Sequence, residues 1–387
     1  MEYPQTERQA ELMATADRLA ERFAVGAEDH DWKNSFPFEN FEALREVGFL
    51  ALTVPKEYGG RGIDPLELAL VNERLARGDG STALATNMHL SLLGRLSETR
   101  PWPEDVFARV CRDVVEHGAL INSAHSEPDL GSPSRGGLPS STAEHTAGGW
   151  RLNGHKRWAS LAPVLRYVTV LATVTGEDGE PQRANFLVRT DTPGLRVEET
   201  WDNLGMRGTG SHDILLENVE VSDDALLSEE PARQVPGEGR GWGAFGGSAV
   251  YLGIASAARD AAIAYARERR PNSMAGPIAE LPTTQHRVAE IELLLLQSRT
   301  VFYDTAATWV ACPEQRPENE WRLAAVKHLV TNHAIAITDL ALRVVGSVGL
   351  SRSMPIQRYF RDVRTGLGQP PMDDVALTII GRAALGV

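Results

Sequence analysis

The sequence predicts an α+β protein of three successive domains, helical, then β, then helical, and three observations predict it. Apolar residues recur at helical spacing over residues 1–118. Over 119–228 Gly, Pro, Ser and Thr rise sharply and β-branched runs replace that period. From 229 to 387 long helical patterns return. Helices and strands in separate zones point to segregated domains rather than a doubly wound sheet.

In the first zone Leu12, Ala16, Leu19 and Phe23 line one helical face, and Phe41, Leu44, Val47 and Phe49 continue the style. A glycine-rich break at 57–63 separates them from a helix over 66–76. A further helix over 83–96 carries Asn87, Met88 and His89. The middle zone holds strand-like runs at 167–174, 185–189 and 214–221, parted by the turn signals AGGW, TGEDGE and NLGMRGTGS. After a linker at 229–243, long helices are expected at about 248–269, 284–311 and 320–345, with a shorter one from Asp373, a pattern that suggests a bundle. Ile291, the leucines at 293–296 and Val301 suggest a helix buried on more than one face.

Composition narrows the function. The 387 residues are 42% hydrophobic and 24% charged, ordinary for a globular chain, and the net charge of −13 argues against general nucleic-acid binding. Cys111 and Cys312 stand alone, without ligand spacing, so neither a disulfide framework nor a zinc site is expected, and reduced, mostly buried thiols in a cytoplasmic protein are. The charged N-terminus lacks the apolar core of a signal peptide, and no membrane span is expected.

Several segments, in order, carry a resemblance. They are GFLALTVPKEYGGRGIDPLELALVNERLARGDGS (48–81), SAHSEPDLGSPSRGG (123–137), LNGHKRWASLAP (152–163), LGMRGTGSHDILLENVEVS (204–222), YARERR (265–270), TQHRVAEIE (284–292) and VVGSVGLSRSMPIQRYFRDVR (344–364). Together they resemble the acyl-CoA dehydrogenases over nearly the whole chain. The resemblance implies an N-terminal α-helical domain, a middle β-barrel or sandwich domain, a C-terminal four-helix bundle, FAD as cofactor, and a homodimer or homotetramer. It also implies that the loop with Ser126 and Ser132 contacts the flavin, with Ser132 beside the substrate. Trp158 would pack on the flavin ring and Ser160 hydrogen-bond it. Arg269 would reach the pyrophosphate from a neighbouring subunit, and Gly346 and Gly349 would lie near the same group. The residue types suit these places: small hydroxyls and a glycine turn offer donors, a planar indole makes a wall, and a guanidinium fork fits phosphate.

The pattern departs where the chemistry should be. In the family a glutamate removes the α-proton of an acyl thioester while hydride leaves for the flavin. Counting between Arg361-Asp362 and the last helix places Pro370 on that glutamate, Pro371 and Met372 following. The other place some members use, on the first bundle helix, falls near Gly243. The nearest carboxylates, Asp373 and Asp374, are candidate bases that read more readily as helix caps. His125 in the flavin loop, and His89 with Asn87 on the N-terminal helix, are further candidate bases, each also readable as a buried structural histidine. The segment RRPNSMAGP also lacks the family's phenylalanine near the nucleotide. The expected activity is α,β-dehydrogenation of an acyl-CoA or acyl-carrier-protein thioester, with electron-transfer flavoprotein or oxygen as acceptor. The alternatives are a flavin-dependent monooxygenase on the same fold and a catalytically altered FAD- or thioester-binding protein.

Overall fold

The structure, a computed structural model, describes residues 3–130, 137–176, 179–230 and 235–387. Five helices come first: α1 (Glu7–Lys33), α2 (Phe38–Glu46), α3 (Pro65–Gly78), α4 (Gly80–Thr99) and α5 (Glu104–His117). Their starts are written in the chain. Thr6 accepts from the Gln9 N–H at the head of α1, and Asp64 forms a capping box with Glu67, with Pro65 first in α3. Asp79 accepts from the N–H groups of Ser81 and Thr82, so α4 starts where α3 stops.

Eight strands follow: β1 (Leu120–Ala124), β2 (Thr142–Thr146), β3 (Gly149–Ala159), β4 (Leu165–Thr175), β5 (Pro181–Arg189), β6 (Leu195–Glu198), β7 (His212–Val221) and β8 (Leu226–Glu230). They make one mixed sheet in the order β6-β7-β3-β2-β4-β5-β8, with β1 branching onto β4 in parallel. The branch brings β1, the first strand after the helical domain, against α4.

The C-terminal region comprises α6 (Arg240–Glu268), α7 (Pro282–Ala311), α8 (Arg316–Asn319), α9 (Trp321–Val345), α10 (Pro355–Asp362) and α11 (Asp373–Leu385). α6 begins eight residues before the expected helix, inside what reads as a glycine linker. The four glycines of its first nine residues weaken a helix by about 1 kcal/mol each relative to alanine, but contacts require two of them. A Cβ at Gly241 would lie 2.5 Å from the Trp309 indole nitrogen, and one at Gly246 2.1 Å from the Asn87 amide oxygen. Tertiary packing therefore overrides propensity.

α7 also differs from expectation. Ile291 and Leu295 are buried, whereas Leu293, Leu296 and Val301 are exposed in the single chain, so only one face is covered. Residues Trp321–Leu350 are long and apolar enough by composition to cross a membrane, contrary to the sequence reading. Within this chain α9 packs against α6, α7 and α11, which accounts for its apolar faces. Cys111 is buried, and burial pushes its thiol up to about 12, an inert group, while Cys312 is half-buried.

Candidate functional site

A cavity of about 900 Å³ lies where the three regions meet. Met88, Ser91, Leu92 and Arg95 project into it from α4, at the i, i+3, i+4 and i+7 spacing of a single helix face. Gly243, Ala244, Gly247, Ser248 and Tyr251 form the α6 wall, and Leu323, Ala324 and Lys327 the α9 wall. Asn122 and Ser123 of β1 and the segment Gln369–Met372 complete it. The small residues on α6 make the room: a Cβ at Gly243 would meet nothing within 4 Å.

Pro370 and Gly243, the residues that sequence counting places at or near the family's two base positions, both line this cavity. Among the described lining residues the sole carboxylate is Glu320, and it is paired with Arg240 at 2.7 Å. Asp373 and Asp374 do not line the cavity. Neither caps its helix, the cap position being Met372; both sit in the first turn of α11, where negative charge favours the dipole. Asp373 also bonds His328 Nδ1 at 2.9 Å and Asn332 Nδ2 at 3.2 Å. Partial burial raises its carboxyl, but those two partners outweigh it and hold the group below its ordinary value. A carboxylate so engaged is a poor proton acceptor.

The histidine candidates fare similarly. His89 is fully buried, accepts from the Ile121 N–H at Nδ1 (3.1 Å) and donates from Nε2 to the Leu50 carbonyl (2.9 Å). It ties α4 to β1 as a neutral imidazole, and burial pushes it down to about 4. Asn87 is spent on Asn72, whose amide donates to it at 2.9 Å. His125 does not line the cavity; burial, reinforced by Lys156, pushes it down to about 4 as well. These two rings set a pH dependence. Their unfolded value is 6.5, so between 6.5 and about 4 the unfolded chain takes up protons that the folded chain refuses. Stability is therefore full above 6.5 and is lost as pH falls toward 4, by up to ~1.4 kcal/mol per pH unit for each ring. Chemical denaturation at stepped pH should show that loss, and His89→Gln should remove about half of it, leaving the share of His125.

The residues expected on the flavin side are only partly brought together, and the link to the cavity runs through Ser160 and Asn122. Trp158, near the end of β3, has a left-handed backbone (φ 59°) and its indole is 59% exposed. The Arg157 guanidinium lies over its ring, 5.1 Å from the centroid, yet a tryptophan this exposed and held in a costly conformation is a platform rather than a core residue. Ser160 shares a hydrogen bond with Ser211 (2.8 Å), and its carbonyl accepts from the Asn122 amide (2.9 Å), which joins this corner to the cavity wall. The Ser126 carbonyl accepts from the Arg157 N–H at 2.9 Å, fixing the loop against β3. Ser132 lies outside the described residues. Arg269 is exposed just after α6 and makes no ion pair among the described residues. Gly346 and Gly349 lie in the 3-10 turn Gly346–Leu350, with Gly346 at φ 75°. Within a single chain neither they nor Arg269 line the cavity.

Sequence reasoning missed the pair that holds this corner together. Lys156, in the interior of β3, has its ammonium on Glu127 Oε1 and the Leu171 carbonyl, and Glu127 also accepts from the N–H groups of Ser140 and Ser141. Both side chains are essentially inaccessible. Burial pushes the Lys156 amine down. For Glu127 burial pushes upward, but Lys156 and the Ser141 and Ser140 donors outweigh it and keep the group an anion. Lys327, Ser248 and Gln369 were also missed. Lys327 had a visible signal, a charge on a face otherwise made of Leu323, Val330 and Ala334.

Three family profiles match the chain: the acyl-CoA dehydrogenase N-terminal domain over residues 6–98, the middle domain over 122–219 and the C-terminal domain over 245–368. YdbM of Bacillus subtilis (strain 168), named provisionally as an acyl-CoA dehydrogenase, is 42% identical over 96% of each chain. L-evernosamine nitrososynthase of a Micromonospora species is 30% identical over 95% of this chain and 88% of its own length. The solved structure of KijD3 with FMN and a dTDP-linked amino-keto sugar superposes with a TM-score of 0.86 at 29% identity, covering 99% of this chain and 95% of that one. With all three domain profiles matched in order, and a relative this similar end to end, the chain belongs to the acyl-CoA dehydrogenase family of flavoproteins.

Proposed function

We propose that this protein is a flavin-dependent monooxygenase built on the acyl-CoA dehydrogenase scaffold. One observation carries the reading: among the described lining residues the cavity's sole carboxylate, Glu320, is neutralised by Arg240, and the wall carries Pro370 and Gly243 where counting along the sequence expects a base. Removing an α-proton requires a base within hydrogen-bond reach; inserting an oxygen atom into an electron-rich substrate does not. The likeness to a nitrososynthase and to the FMN-bound KijD3 supports the same choice.

FAD is the typical cofactor of the family, and the residues here suit a flavin. Trp158 is an exposed indole at a left-handed backbone position, with Arg157 over its ring, and the Ser160–Ser211 hydroxyl pair lies two residues on. A bound flavin supplies two-electron chemistry and, once reduced, the capacity to activate oxygen. The chain's own residues do the rest. Trp158 would orient the ring, Asn122 would hold the Ser160 strand end against β1, and Lys156 with Glu127 would fix the loop that carries Ser126. Leu92, Leu323, Pro370 and Met372 would keep water from the reacting face. For the balance, O2 and two electrons from a reduced nicotinamide, delivered through a flavin reductase, give one oxygen atom to the substrate and one to water.

Dehydrogenation of an acyl thioester, the first choice on sequence grounds, stands second, favoured by the extent of likeness to YdbM. One set of experiments separates the two. Protein loaded with FAD or FMN should stay yellow under anaerobic acyl-CoAs of several chain lengths. It should consume oxygen and incorporate label from 18O2 only with a reductase and NAD(P)H. Bleaching by an acyl-CoA alone would establish dehydrogenation and sink the monooxygenase reading. Trp158→Ala should lower flavin retention on gel filtration at least about tenfold, since an aromatic stacking face is lost; unchanged retention would remove Trp158 from the flavin site.

A further inference from the structure

Lys327 is a buried ammonium with nothing to hold. The residue is only 6% exposed, and its Nζ has no hydrogen-bond partner among the described residues. It nevertheless lines the cavity. The Ser248 hydroxyl, on the α6 wall of the same cavity, is also buried without a partner. The faces that carry these groups oppose each other. Tyr251 on α6 and Thr331, one turn beyond Lys327 on α9, both abut Gly366.

Burying a charge without a partner is expensive, and chains keep such groups where a ligand satisfies them. The other charges nearby do not serve. Asp373 acts on Lys327 at a distance but spends its oxygens on His328 and Asn332, and Glu320 pairs with Arg240. Burial lowers the affinity of Lys327 for its proton and Asp373 partly restores it, so an incoming anion would hold the amine charged. The cavity thus presents donors in excess of acceptors inside a chain whose net charge is −13.

We propose that Lys327, assisted by Ser248, is an oxyanion-binding subsite, and that the substrate is a small organic acid bearing a carboxylate, sulfinate or sulfonate. The anionic group anchors one end of the molecule, and the atom to be oxidised lies toward Trp158. This deepens the monooxygenase reading, resting on it for the chemistry at the flavin but not for the binding itself.

The test is therefore run without turnover, on flavin-loaded protein, by calorimetric titration. The probes are butanoate, propane-1-sulfinate and propane-1-sulfonate, with butanamide as the neutral counterpart. At least one anion should bind at least about 30-fold more tightly than butanamide, a ratio ordinary for a desolvated charge-assisted contact. Which anion leads identifies the acid class. Lys327→Met should abolish that preference while leaving butanamide binding within about threefold, Lys327→Arg should retain part of it, and Ser248→Ala should weaken the best anion about three- to tenfold. Lys327→Met should also melt at a temperature equal to or above that of the parent, because an unpaired charge is replaced by an apolar side chain of similar length. Equal affinity for butanamide and the anions, an intact preference in Lys327→Met, or a marked fall in its melting temperature would each overturn the subsite. Oxygen incorporation can fail with this preference intact, in which case only the redox reading falls.

Discussion

Lys156→Met should destabilise the protein by about 3–5 kcal/mol and empty it of flavin, although Lys156 need touch no cofactor atom. The cost is that of stranding Glu127, which is 1% exposed on its side chain and depends on the ammonium for one of its charge-assisted bonds. Two consequences follow along the chain. The Ser140 and Ser141 N–H groups lose a partner held in place, and β2, which starts at Thr142, loses its entry. The loop that carries Ser126 then loses its clamp to β3, one residue from Trp158. Glu127→Gln should cost less, because an amide oxygen still accepts from the Ser140 or Ser141 N–H. Combining it with Lys156→Met should recover part of the loss, since no buried charge is then left unpaired. Denaturant unfolding and flavin retention after gel filtration check both effects. A Lys156→Met protein that melts within about 2 °C of the parent, less than the ~2–4 °C that 1 kcal/mol moves even a large domain, would show that the pair contributes little.

The comparison of sequence with structure divides along physical lines. Helices with one apolar stripe, such as the one carrying Leu12, Ala16, Leu19 and Phe23, are legible because their period is local. The start of α6 is not, because Gly241 and Gly246 are chosen by Trp309 and Asn87, residues distant in the chain. The same holds for the site. Trp158 stands in a segment whose order carries the family resemblance, Pro370 is placed by counting on from the last such segment, and Pro370 is indeed in the cavity. Lys156 and Glu127 are 29 residues apart, and nothing local says that one is the other's counter-ion. His89, Asp373 and Asp374 looked available for proton transfer because availability is decided by partners: Leu50 and Ile121 for the histidine, His328 and Asn332 for Asp373. Asp374 is excluded by its place in the first turn of α11, outside the cavity wall. The exposed Leu293 and Leu296 mark the opposite limit, since a pattern apolar on two faces does not say whether the second face is covered by this chain.

Asp79→Ala should cost a further 3–5 kcal/mol or so, by a different route. Asp79 caps α4 through the Ser81 and Thr82 N–H groups and faces Arg358 of α10 at 3.4 Å, both side chains about 5% exposed. Arg358 belongs to a short helix that rivets the regions together. Arg361, on the same helix, grips Asp31 of α1, and Asp362 accepts from the Met206 N–H at 2.7 Å. Burial pushes the Asp362 carboxyl up to about 7, with Arg358 opposing the rise. Between its ordinary value of 3.8 and 7 the folded state therefore holds a proton the unfolded state has released, and this group's contribution declines as pH rises through that window. In Asp79→Ala the guanidinium of Arg358 is left with Asp362, one turn on, as its nearest alternative, so Asp362 should ionise at lower pH and its decline with pH should shrink. Asp79→Asn keeps the cap and should fall between parent and alanine variant. Asp79→Ala with Asp362→Asn removes both carboxylates and should lose more than the two single changes added, because each single variant leaves Arg358 one partner. Additive losses would mean that Arg358 is satisfied elsewhere and that Asp79 matters through the α4 cap alone, at about 1 kcal/mol.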